Sequence, residues 1–262
     1  MTSTRLLCAV ALFFALHLPS FAQSGASIPT PVLVELFTSE GCSSCPPADR
    51  LLAVLQKQQP VANAHIIVLE EHVDYWDRQG WRDRFSSAQF TQRQNFYAPR
   101  LKFDDPYTPQ MVVDGQAQFL GSDPSKATSA ISHAAEQPKI ALTLSPAAVD
   151  GRRVAASVSA AASGSLPHGD LYAVLVTPSA STEVKGGENG GRHLDHVSIA
   201  RSFERIGKLQ DLSRGPIAFH INAPNGEDPA HMKLIVFAQL PDQGPVRGVA
   251  EVSTHPEMAA NR

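Results

Sequence analysis

Cys42 and Cys45 stand three positions apart, directly after an apolar run and directly before a helical pattern. Two thiols at that spacing have three chemistries open to them. They can close a small disulfide ring, offer a thiolate to another molecule's disulfide, or grip a metal ion. In the exchange reading Cys42 is the exposed nucleophile, because a helix N-terminus lowers a Cys pKa from ~8.5 into the range ~3.5–7.5. Cys45, one turn in and more buried, then resolves the mixed disulfide. In the structural reading the pair is a locked bridge. Such a bridge closes almost no loop and restricts the unfolded chain very little, which points to chemistry rather than stability.

The metal reading recruits His72 and Asp74, which with the two thiolates could complete a four-ligand set. On a loop carrying Tyr75, Trp76 and Trp81 they could equally hydrogen-bond to hold that loop together, and the aromatic residues read as a satellite core. Arg192, His193, Asp195 and His196 flank a Gly-rich turn, and no spacing among them argues a catalytic or metal geometry. They are assigned no role.

The start of the chain bears on the redox compartment. Arg5 precedes an apolar run from Leu6 to Leu18, and Pro19-Ser20-Phe21-Ala22 ends in a small-x-small pattern. A spanning helix needs about 20 apolar residues, so residues 1–22 read as a cleaved signal peptide. The expected destination is periplasmic or secreted, with no membrane span left after cleavage. Cys8 leaves with the leader, and the only cysteines remaining are Cys42 and Cys45. Loss of Arg5 takes the formal charge from −3 to −4, and that mild acidity without a basic cluster argues against a nucleic-acid partner.

After a lead-in at 23–30, the elements that must position these residues read clearly. Val32–Phe37 is a buried strand, and a helix from Ala48 to Pro60 carries Pro46 and Pro47 in its first turn, with Ser43 or Ser44 as N-cap. His65–Leu69 is a second strand, and Ser86-Ser87-Ala88-Gln89 opens a helix to about Tyr97. Asp114-Gly115 marks a hairpin, and Asp123-Pro124 opens a third helix to about Glu136. The order over 31–138 is therefore β-α-β-α-β-β-α. From Lys139 short β-type runs follow, at 140–144, 154–158, 171–176, 199–206, 216–221, 232–239 and 246–252. They predict a small antiparallel β-sandwich or barrel as a second domain at 139–256, ahead of a tail at 257–262.

Strand, Cys-x-x-Cys at a helix start, second strand, then Thr108-Pro109 before a hairpin and a last helix resembles the thioredoxin fold. Three phrases, Val34 to Asp49, His72 to Asp77 and Tyr107 to Gly115, are similar to a family of exported proteins catalogued as a domain of unknown function (DUF 1223). Gly187 to Arg192 with Leu194 and His196 resembles that family's C-terminal half. The resemblance implies an α/β thioredoxin-like domain followed by a small all-β domain, and it supplies no reaction. It implies a cis bond before Pro109, with Thr108 placed where its backbone can pair with a substrate strand. It also implies that Glu35 is a buried acid taking the proton of Cys45, the alternative being an exposed strand face. Gly41 where thioredoxins carry an aromatic, and Pro46 after the second Cys, depart from the usual pattern.

The function these residues favour is an exported thiol–disulfide oxidoreductase. Its partners would be protein or small-molecule thiols and disulfides, with no cofactor beyond the Cys42–Cys45 pair. The alternatives are a metal-binding or metal-delivery module using Cys42, Cys45 and His72, and a non-catalytic binding protein with a structural disulfide.

Overall fold

A computed structural model describes residues 28–161 and 165–255, so the leader expected at 1–22 and the tail at 257–262 lie outside the described residues. Strand β1 (Thr30–Thr38) is apolar on both faces, Glu35 and Thr38 apart, because both are covered. It pairs in parallel with β2 (Ala64–His72), from Thr30 opposite Ala64 to Thr38 opposite His72. Helix α1 (Pro46–Gln58) connects them. Its N-cap is Cys45, with no side-chain cap bond, rather than Ser43 or Ser44. Pro46 and Pro47 remove two of the N–H groups that a cap would otherwise have to satisfy.

Helix α2 (Ala88–Leu101) is capped by the Ser87 hydroxyl, which accepts from the Gln89 N–H. It runs four residues past the expected end at Tyr97 and holds Pro99 in its last turn. Strands β3 (Gln110–Val113) and β4 (Ala117–Leu120) form the expected hairpin, with Asp114 and Gly115 both at left-handed φ of 49° and 63°. Asp114 does more than turn the chain. Its carboxylate accepts the Leu33 N–H at 3.0 Å and pairs with Lys139 Nζ at 2.5 Å, tying the turn to β1 and to the residue that opens the second half. Helix α3 (Pro124–Ala135) follows, capped by Asp123.

The second half supplies β5 (Ala141–Leu144), β6 (Ala148–Asp150), β7 (Arg153–Ala161) and β8 (Asp170–Glu183). It continues with β9 (His193–Lys208), β10 (Ile217–Asn222), β11 (Lys233–Gln239) and β12 (Val246–Ser253). These strands divide between two sheets. One has eight strands in the order β12-β11-β8-β9-β2-β1-β3-β4, so four C-terminal strands extend the N-terminal sheet. The other holds β10, β7, β5 and β6, and its Val154, Val158 and Ile221 pack on Leu171, Leu175, Leu234 and Val236 of the large sheet. The fold is thus mixed α/β, with a large mixed sheet and a second small one. The sandwich expected after residue 139 is half built from a sheet that both halves share. Strand pairing is made by main-chain hydrogen bonds, which leave no side-chain signature to reveal that β9 seeks β2.

On one face of the large sheet, Val32, Val34 and Leu36 pack against Leu52, Leu55 and Ile131 of α1 and α3. On the other, Leu33, Leu69 and Phe90 share a core with Val174, Val176, Phe203 and Phe237. That second core draws on both halves of the chain. A fragment ending at residue 138 would expose its side of this core and should show no cooperative thermal transition by circular dichroism, whereas the full chain melts in a single step. A cooperative melt of the fragment would count against this prediction.

Candidate functional site

Cys42 and Cys45 are joined as a disulfide, with their Cα atoms 5.4 Å apart. Both residues are 0% exposed, while Ser43 and Ser44 between them face solvent. The expectation that Cys42 would be an exposed nucleophile is therefore corrected. The residues that cover it lie almost 150 positions away in sequence, in the turn 184–192 between β8 and β9. Asn189 Nδ2 donates to the carbonyls of Glu40 and Cys42, each at 2.9 Å. The Glu188 carboxylate accepts the Ser43 N–H at 3.1 Å, and its bonds with Ser43 hold its pKa below the usual carboxylate range.

Glycine is what lets this turn come so close. A Cβ on Gly186 would sit 2.5 Å from the Gly80 carbonyl oxygen, and Gly187 at φ +64° packs on the Trp81 Cβ. The Gly-rich phrase is a contact surface for the aromatic loop at 75–81.

Thr108 and Pro109 come to the same place. The bond between them is cis, Pro109 is buried, and the Thr108 carbonyl accepts from the Ser44 hydroxyl at 3.5 Å. Trp76 Nε1 donates to the Thr108 hydroxyl at 2.8 Å, which fixes this loop against the aromatic one. Asp74 accepts from the Thr91 hydroxyl and holds the loop to α2, away from the cysteines.

Glu35 is buried but stands on the wrong face for the expected role. Strand residues alternate, and Glu35 shares the face of Leu33 and Phe37, whereas α1 packs on the face of Val34 and Leu36. Arg93 Nε and the Tyr97 hydroxyl each donate to it at 2.6 Å. The buried acid beneath the Cys turn is instead Asp49, one turn beyond Cys45, accepting from the Thr38 hydroxyl at 2.7 Å. Burial, with the charge of Glu70 adding to it, pushes the Asp49 pKa up to about 7.

Around Asp49 lies a cluster that sequence reasoning only grazed. His72 Nδ1 meets Asp83 Oδ2 at 2.6 Å, and His196 Nδ1 meets Glu70 Oε1 at 2.8 Å. Glu40 accepts from Trp81 Nε1 at 2.7 Å, and the Glu40 N–H donates to Asp83 at 2.9 Å. Burial opposes charge on His72, but Asp83 outweighs it and the pKa rises to about 9. The same pairing overcomes burial at Asp83, whose pKa falls to about 2. At His196 the bond from Glu70 likewise outweighs burial, and the pKa is raised. Glu70 and His72 continue the alternation of Ile66 and Val68 towards α1, which is the signal that could have placed them. Nothing local signals His196, which meets Glu70 across 126 positions.

A family model described as a protein of unknown function (DUF1223) matches residues 33–239. A crystal structure of a protein from Agrobacterium tumefaciens, a structural-genomics target, superposes with a TM-score of 0.67 at 21% identity, covering 88% of this chain and 97% of that one. At that identity the likeness concerns the fold alone. A domain of the outer membrane lipoprotein Omp28 from Porphyromonas gingivalis gives a TM-score of 0.26 at 14% identity, over 44% of this chain and 88% of that one, and no argument rests on it. No curated protein matches the chain.

The cover over Cys42 can be tested directly. Asn189→Ala removes two hydrogen bonds, about 2 kcal/mol together, which should raise the population of the uncovered state roughly thirtyfold. Reduction of the folded protein by dithiothreitol should accelerate accordingly. An unchanged rate would mean that the turn does not control access.

Proposed function

The chain belongs to the DUF1223 family, and from its own geometry we propose that it is an exported, thioredoxin-like thiol–disulfide oxidoreductase reacting through Cys42 and Cys45. The observation that carries this reading is the bridge itself. It joins neighbouring residues at the head of α1, beside the Thr108-Pro109 loop, where it adds little to stability. The element order from β1 to α3 supports the thioredoxin-like reading, and the apolar run at 6–18 supports export.

In the reducing direction the Cys42 thiolate attacks one sulfur of a partner's disulfide. A Cys42–partner bond forms, and the partner's other sulfur leaves as a thiolate that takes up a proton. The Cys45 thiolate then attacks the Cys42 sulfur, restores the internal bridge and expels the second partner thiolate. Two electrons pass from the Cys42–Cys45 dithiol to the partner, and the reverse sequence oxidises a partner dithiol. Partners are protein or small-molecule thiols and disulfides. Because neither sulfur is exposed, exchange requires the 184–192 turn to lift from the Cys turn first.

That same burial favours a second reading, a structural disulfide in a non-catalytic binding protein. The metal module built on Cys42, Cys45 and His72 has less support, since each sulfur is bonded to the other and His72 is engaged by Asp83.

Equilibration of the native chain in thiol buffers separates the two disulfide readings. The expected result is a reversible two-electron couple between about −120 and −270 mV, with exchange abolished in Cys42→Ser. A bridge reduced only after the protein unfolds, or a Cys42 thiol that titrates unshifted near ~8.5, would overturn the redox reading.

A further inference from the structure

We propose that the cleft between α2, β8 and the β11–β12 turn binds a short peptide with free termini and an aromatic or aliphatic side chain. The cleft has a volume of about 780 Å³, within the ~300–1,000 Å³ of small-molecule sites. Phe96 and Arg100 come from α2, Tyr172 from β8, and Leu240, Pro241 and Asp242 from the turn. A second cavity of about 200 Å³ shares Phe96, Tyr172 and Gln243 with it, so the two lie side by side. No residue of the Cys turn, of the Thr108-Pro109 loop or of the 184–192 turn lines either cavity.

The rings set the apolar part of the ligand. Phe96 is 54% exposed, a large aromatic that α2 turns outward rather than into the core. Tyr172 is held from behind, its ring stacked on Phe237 at 5.3 Å and tilted against Phe203 at 5.5 Å. A ring already fixed in this way offers aromatic surface to a ligand at little cost in entropy.

The charges left unspent set its two ends. Arg205 is paired with Asp170, and Arg93 with Glu35, each at 2.6 Å. Arg100 and Asp242 differ: among the described residues neither side chain has a hydrogen bond, ion pair or ring contact. One free guanidinium and one free carboxylate, on different elements of one cleft, complement a ligand that carries one carboxylate and one ammonium. A peptide with free ends carries both. Its carboxylate end goes to Arg100 and its ammonium end to Asp242. The Gln92 and Gln243 amides, also without partners, are there for its main-chain groups.

The turn that carries Asp242 is set before any ligand arrives. Asp242 and Gln243 are both left-handed, at φ 55° and 50°, a conformation that non-glycine residues adopt at a cost. Flanking bonds hold it there. The Gly244 N–H donates to the Leu240 carbonyl at 3.1 Å, and Gln239 Nε2 donates to the Gly244 carbonyl at 3.0 Å. A fixed turn spares the ligand the entropy of ordering it.

Calorimetric titration of the oxidised full-length protein with alanyl-phenylalanyl-alanine tests the site. The free tripeptide should bind saturably, with a Kd of ~1 mM or tighter. Amidating its C-terminus should weaken binding to the wild type about three- to tenfold and leave binding to Arg100→Gln unchanged. Acetylating its N-terminus should cost the wild type as much and leave Asp242→Asn indifferent. Both side chains are exposed and unpaired, so the two variants keep the fold. Cys42→Ser/Cys45→Ser should bind as the wild type does, so this site and the redox reading fail separately. No saturable binding to the wild type would overturn the proposal. So would equal losses on blocking in wild type and variants, or tighter binding of a neutral trisaccharide.

Discussion

Glu70 ties the N-terminal strands to the C-terminal ones. Strands β2 and β9 pair at one register position, Glu70 opposite Ile199, and the Glu70 side chain supplies what the main chain there does not. One carboxylate oxygen accepts the Val197 N–H and the other takes His196 Nδ1, both at 2.8 Å. A buried carboxylate with two hydrogen bonds resists being pulled apart, because separating it from its partners leaves a charge stranded away from water. Everything the C-terminal half brings to the cysteines depends on that junction. The β8–β9 hairpin runs on from it to the 184–192 turn, where Asn189 and Glu188 close over Cys42 and Ser43.

Strand alternation splits the acids of β1 and β2 into two separate networks. Glu70 and His72 face α1 together with Thr38 and Asp49. Glu35 and Glu71 face α2, where Arg93 lies 2.6 Å from Glu35 and 3.5 Å from Glu71. Burial and the charge of Glu35 push the Glu71 pKa well up. Arg93 also hydrogen-bonds Gln239 of β11 and stacks over Phe203 and Phe237 at 4.8 and 5.2 Å. This second network therefore locks the same two halves from the opposite face. Two buried polar networks, one on each side of a sheet, specify how the halves dock far more narrowly than apolar packing does.

The consequence for chemistry is a protected disulfide. Thiol–disulfide exchange needs a sulfur within reach of another sulfur, and here both cysteines are buried, with the 184–192 turn hydrogen-bonded to the Cys42 carbonyl and the Ser43 N–H. The site thus combines a buried polar network around Asp49 and His72 with the 184–192 turn that hydrogen-bonds the Cys turn.

Much of this was legible in the residues. The Cys42–Cys45 pair, the β-α-β-α-β-β-α order and the Asp114-Gly115 turn follow from local rules, because spacing, proline placement and apolar period act within a few residues. The seven β-type runs after 139 were legible for the same reason. Four things were not. The exposure of Cys42, the face of Glu35, the sharing of one sheet by both halves and the partnership of His196 with Glu70 are all set by contacts between distant residues. Glu35 shows the limit plainly: an acid in an apolar strand announces burial, but a shift of one residue moves it to the other face of the sheet. The sequence by itself determined which local elements form and which residues could react. Only the tertiary structure decided which of them meet, because main-chain pairing and buried ion contacts are long-range and carry no local signature.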